Sequence, residues 1–128
     1  MSPTVLNEPA TLPAVSSMTL VHPRLQWEIE ILPAEGTCVR VLDVLAGIYK
    51  SLRQQATGPD YEALPTRAAQ NEVTDAFTHR WSKIPDPRTK TMEKSKGLKR
   101  VDFLGSMVAF GGIFKAPNGP NHWALVVS

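Results

Sequence analysis

The chain has 128 residues, is 42% hydrophobic and 20% charged, and carries a formal charge of +2; these proportions fit one soluble globular domain that buries its own core. No apolar run approaches the length of a bilayer span, which excludes a membrane-spanning helix. A single cysteine, Cys38, excludes an internal disulfide and fits a reducing, cytoplasmic setting.

Residues 1–20 hold Pro3, Pro9 and Pro13 among Ser, Thr and Ala with no periodicity, no basic start and no unbroken apolar stretch. They are expected to be a flexible Pro-rich leader rather than a secretory signal, with Met18 to Val21 laid on the core. In "RLQWEIEIL" the apolar Leu25, Trp27, Ile29 and Ile31 alternate with polar residues, which predicts a first strand with one wet face. "PAEG" supplies a turn. Val41, Val44, Leu45, Ile48 and Leu52 then recur at helical spacing, predicting an amphipathic helix over 41–55, with Asp43 in its first turn and Lys50 and Arg53 near its end as the helix dipole favours. Gly58-Pro59 breaks the chain and allows one helical turn over 59–64.

A second helix is predicted from Thr66 to the residues before Pro85-Asp86-Pro87, with Val73, Ala76, Phe77, Trp81 and Ile84 on one face. Residues 85–99 are expected to be a long basic loop. Beyond it, Val101 to Leu104 is read as a short extended piece, Met107 to Phe114 as a strand interrupted by Gly111-Gly112, "APNGPN" as a turn and His122 to Val127 as the last strand. The expected fold is α+β: one two-layer domain over 21–128, with a mainly antiparallel sheet of three to four strands and two helices packed on one face. The Trp-bearing first strand is expected beside the final hairpin.

His22-Pro23, "LQWEI", "VLDVL", Tyr61 with Leu64, Arg80, "GLKRVDFLG" from Gly97 to Gly105, "FGGI" and Trp123 with Leu125 together resemble an uncharacterised domain-of-unknown-function family of small proteins from mushroom-forming fungi. The similarity covers roughly residues 22–126, and "RVDFL" is its most specific block. It implies a fungal source and a compact domain, and it implies no activity. One departure is Arg40, a poor N-cap where such proteins often begin the first helix with Thr or Ser.

Arg100 and Asp102 stand two apart inside "KRVDFL". They read either as a structural pair, with Asp102 accepting backbone N–H groups at a turn, or as the polar groups of a ligand-binding region walled by Trp27, Phe103, Phe110 and Trp123. The ligand-binding set is therefore Trp27, Arg100, Asp102, Phe110 and Trp123. Between Arg88 and Arg100 six cations face Glu93 alone, a local +5 that leaves the rest of the chain at −3. Lys94, Lys96 and Lys99 are the candidates there for polyanion contact, but no aromatic is interleaved for stacking, which disfavours nucleic acid. Cys38 precedes a helix and reads as a small apolar side chain before it reads as a nucleophile. Three histidines and one cysteine at scattered spacing make no metal site, "LGSMV" lacks the second Gly of a nucleophile elbow, and no cofactor motif is present. The function expected is a non-enzymatic domain that binds a small hydrophobic molecule or a protein partner. The alternatives are a small cofactor-independent enzyme using Asp102 or a histidine as base, and polyanion binding through 88–100.

Overall fold

The computed structural model describes residues 3–107, 109–117, 119 and 121–128. Met1 and Ser2 of the expected leader, Val108 of the expected strand, and Asn118 and Pro120 of the expected turn lie outside the described residues. Residues 21–128 are expected to form one domain; the chain divides into two compact units, residues up to Ser51 with Phe110–Val127, and Leu52–Ala109 with Ser128.

The first unit is built on a four-stranded sheet of β1 (Met18–Val21), β2 (Ile29–Ile31), β3 (Phe110–Lys115) and β4 (His122–Val127), in the order β2-β1-β4-β3. β1 pairs antiparallel with β2, and β3 pairs antiparallel with β4. The inner pair, β1 with β4, is parallel, Leu20 lying opposite Trp123. The sheet is therefore mixed, which corrects the expectation of a mainly antiparallel one. The physical reason is the added strand: "MTLV" is short and follows a proline-rich stretch, so its pattern is weak, yet Met18 and Leu20 are wholly buried and β1 lies at the centre. β1 also separates the first predicted strand from the final hairpin, so β2 and β4 are not neighbours.

Alternation does the work in β2, where Ile29 and Ile31 are buried and Glu30 is exposed. The strand is shorter than predicted. His22 turns the chain just before it, its carbonyl accepting the Leu25 N–H at 3.0 Å and its Nδ1 the Arg24 N–H at 3.1 Å. Trp27 thus precedes β2 instead of standing in it.

Besides the short helix α1 (Pro3–Leu6), this unit carries α2 (Val41–Leu52), whose Val44 joins Met18, Leu20, Ile29, Ile31, Val39 and Leu125 in one core, with Ile48 packed against them. Gly47 lets the helix approach β2, since a Cβ there would strike Ile31 Cδ1. The weak N-cap at Arg40 is compensated from three residues on: Asp43 accepts the Arg40 N–H at 2.9 Å and the Ala34 N–H at 3.1 Å. The Val41 N–H donates to Glu8 at 3.0 Å, Ala10 donates to Val39 at 2.9 Å, and Val39 donates to Val15 at 2.8 Å. These bonds tie residues 8–15 to the entry of α2.

The second unit is helical. It contains α3 (Gly58–Glu62), α4 (Arg67–Ser82), α5 (Pro87–Lys96) and a 3-10 helix (Arg100–Leu104). Each α-helix begins on a capping side chain: the Thr57 hydroxyl accepts from Asp60, Thr66 from Ala69, and Asp86 from Thr89. The basic segment expected as a loop is mostly α5. Pro-Asp-Pro, read as a stop signal, supplies the Asp86 cap and Pro87 at the first helical position, and Gly97 at φ +79° ends the helix. The extended reading of Val101 to Leu104 is likewise corrected. Asp102 accepts the Lys99 N–H at 2.9 Å and so winds the chain into the 3-10 turn, which Gly105 at φ +64° closes.

Candidate functional site

Two places concentrate chemistry, one in each unit. In the helical unit, α4 presents Arg80 from the same stripe as Val73, Ala76 and Phe77, where an apolar residue is the norm. Its guanidinium forms a bidentate pair with Asp102, Nε to Oδ1 at 2.9 Å and Nη2 to Oδ2 at 2.9 Å. Nη1 reaches Glu93 of α5 at 3.1 Å, and Nη2 also donates to the Gly97 carbonyl at 3.2 Å. One side chain therefore joins α4, α5 and the 3-10 helix. The Phe77 ring lies 5.5 Å from the guanidinium carbon.

Glu93 is shared further, accepting from Lys99 Nζ at 2.9 Å and Lys96 Nζ at 3.2 Å. These ammonium donors hold its carboxyl down from 4.5 to about 2, Lys99 contributing most. Arg80 is pushed above its ordinary value, first by its hydrogen bonds to Asp102. Asp102 is 2% exposed and takes three donors: two from Arg80 and the Lys99 N–H. A buried carboxylate held this way is a structural charge.

Of the residues expected at a site, Arg100 and Asp102 lie in this unit, while Trp27, Phe110 and Trp123 lie in the sheet unit. The partner of Asp102 in these contacts is Arg80, not Arg100. Lys96 and Lys99 are paired with Glu93, and Lys94 lies 4.8 Å from the centre of the Trp81 ring. Single-residue patterning missed the roles of Arg80 and Glu93. The signal was present in two halves, a cation on an apolar helix stripe and an acid inside the apolar run Val101 to Leu104, each needing an opposite charge on burial.

In the sheet unit the chemistry is aromatic. β3 is an outer strand of the sheet and carries Phe110 and Phe114, exposed by 44% and 66%. A register shift between Phe110 and Gly112 turns the two rings to opposite faces. At the end of β3, Lys115 Nζ sits 5.5 Å from the Trp123 ring centre and donates to the carbonyls of Gly119 at 2.6 Å and His122 at 3.3 Å. His122 Nε2 contacts Glu28 at 3.2 Å. Burial, and then Arg24, lower the pKa of His22.

Among the described residues no group of three or more His, Cys, Asp or Glu side chains could hold a metal ion, and no helix is long and apolar enough to cross a membrane. No curated protein and no solved structure matches the chain. Residues 1–121 match the model of a family of unknown function, DUF6699, and the chain belongs to that family.

Proposed function

We propose that this chain is a non-enzymatic protein-interaction domain whose contact surface is the β3 edge with Phe110 and Phe114. The carrying observation is the contrast between the two places described above. Two carboxylates of the helical unit, one buried and one half-buried, are spent on scaffold, Asp102 with three donors and Glu93 with three cations. Phe110 and Phe114 of β3 are meanwhile left to solvent, as aromatic side chains are at surfaces that meet a partner. Of the ligand-binding set, Trp27, Phe110 and Trp123 stay with this reading as the aromatic part of the sheet unit. Arg100 and Asp102 stay only as parts of the helical unit. The fungal source and cytoplasmic setting implied by the resemblance and by the lone cysteine belong to the same reading.

Incorporating a photo-crosslinking phenylalanine analogue in place of Phe114 and irradiating the full chain in its own cells tests this. Protein adducts are expected well above those from the same analogue in place of Glu72, an exposed residue on α4. Equal adduct yields at the two positions would overturn the reading.

A further inference from the structure

We propose that two copies of the chain associate through the outward face of α2, the two helices lying antiparallel about a two-fold axis at Ala46. This goes beyond the reading of β3 as a contact surface and uses none of its residues.

α2 has one more apolar face than its own core needs. Its sequence is VLDVLAGIYKSL, in which Asp43, Lys50 and Ser51 are the only polar residues besides Tyr49. Val44, Gly47, Ile48 and Ser51 make the inward face: Val44 and Ile48 join the core, Gly47 meets Ile31, and Ser51 is buried. On the opposite side Leu42, Ala46 and Tyr49 stand at i, i+4 and i+7, Leu42 exposed by 48%, Tyr49 by 64%, and Ala46 exposed between them. A helix that rests on a core by one face is ordinarily polar on the other, and a second apolar stripe at this spacing is a seam for another helix. Ala46, the small residue at the middle of the stripe, lets a partner helix approach to about 8 Å.

Charge names the occupant. Asp43 and Lys50 are seven residues apart and therefore share one flank of the stripe, the position from which side chains reach across a helix pair and set its orientation. A two-fold axis that reverses the helices sets this flank against itself, so Asp43 meets Lys50 of the other copy and the contact is made twice. With the axis at Ala46 these partners lie level to within one residue, about 1.5 Å of helix rise, and so do Leu42 and Tyr49 across the seam. A parallel pair would turn the charged flank toward the apolar flank of Leu45 and leave both charges unmatched. Asp43 takes one N–H on each oxygen, from Arg40 and Ala34, and keeps its charge for the second contact. The surface is thus complementary to itself in one orientation, as an isologous dimer requires.

The test is sedimentation equilibrium of the purified full chain over a range of concentrations. A dimer is expected with Kd on the order of 1–100 μM, as for a small interface. Ala46→Glu keeps helix preference and sets two carboxylates against each other at the axis, so it should leave a monomer. Its melting temperature, read at a concentration where the wild type is also monomeric, should stay within about 3 °C of wild type. Lys50→Glu, at an exposed position, sets Glu beside Asp43 of the other copy and should weaken the dimer about tenfold. Phe114→Lys should leave it intact. A wild-type chain that stays monomeric to about 1 mM overturns the proposal and leaves the β3 reading standing. A dimer that survives Ala46→Glu, is indifferent to Lys50→Glu, or is lost with Phe114→Lys places the contact elsewhere and overturns it too.

Discussion

Arg80 shows why a charge can sit on a buried stripe. Its planar fork meets Asp102 along two parallel bonds and still has Nη1 left for Glu93, a geometry that the single ammonium of lysine cannot reproduce. Arg80→Lys should accordingly lower the unfolding free energy by about 1.5–3 kcal/mol, the range for hydrogen bonds to charged groups. Arg80→Met should cost more, about 3–5 kcal/mol, because it leaves Asp102 charged and buried without its partner. The double change Arg80→Met with Asp102→Leu removes both charges and should be less damaging than Arg80→Met alone. Urea unfolding of the four proteins measures this. A double variant less stable than the single one would show that the pair holds the three helical pieces in a way that apolar packing cannot replace.

Among the elements, α2 carries Gly47 in its interior at a cost in helix propensity. Gly47→Ala should gain about 1 kcal/mol of propensity and lose about 1–3 kcal/mol by crowding Ile31, for a net destabilisation. Ile31→Val deletes the Cδ1 atom that the new methyl would strike, so in that background Gly47→Ala should become neutral or stabilising. Thermal melts of the two single variants and the double close the cycle, and additive effects would mean that the helix shifts instead of clashing. Elements with a strong local signature were legible in the chain: the stripe of α2, the stripe of α4, the alternation of β2 and the final hairpin all lie near their predicted positions. α5 was not, because it has no apolar stripe; its inward contact is Glu93 to Arg80 and two lysines, a pattern that looks like solvent-facing charge. Met18 to Val21 lies on the core as expected, but its pairing as a central strand was not legible, since four residues carry too little alternation and its partners stand far along the chain. As for the candidate site, the acid within "RVDFL" was readable as a structural charge, but its true partner stands 22 residues away. No periodicity reports a contact between two elements.

On the scale of the whole molecule the titrating groups divide between the units, and the division predicts two stages of acid destabilisation. In the sheet unit, burial and Arg24 lower the pKa of His22 below its ordinary 6.5. The unfolded chain takes up that proton first, so the contribution of His22 is complete above 6.5 and is lost as pH falls through its lowered folded value. In the helical unit Glu93 is held at about 2 against an ordinary 4.5. Its contribution is complete above 4.5 and is lost as pH falls toward 2. Asp60 and Asp86 are also lowered, first by the Thr57 N–H and by the Thr89 hydroxyl, and act in the same direction at the starts of α3 and α5. Tryptophans report the units separately, Trp81 for the helical one and Trp27 with Trp123 for the sheet. In a chain carrying Trp27→Phe and Trp123→Phe, urea midpoints read by Trp81 fluorescence should fall steeply between pH 4.5 and 2. Glu93→Gln has no proton to take up there, so it should lower the midpoint at neutral pH and flatten the acid dependence. A midpoint that still falls as steeply in Glu93→Gln would place the acid sensitivity in the helix caps and remove Glu93 from the centre of the network.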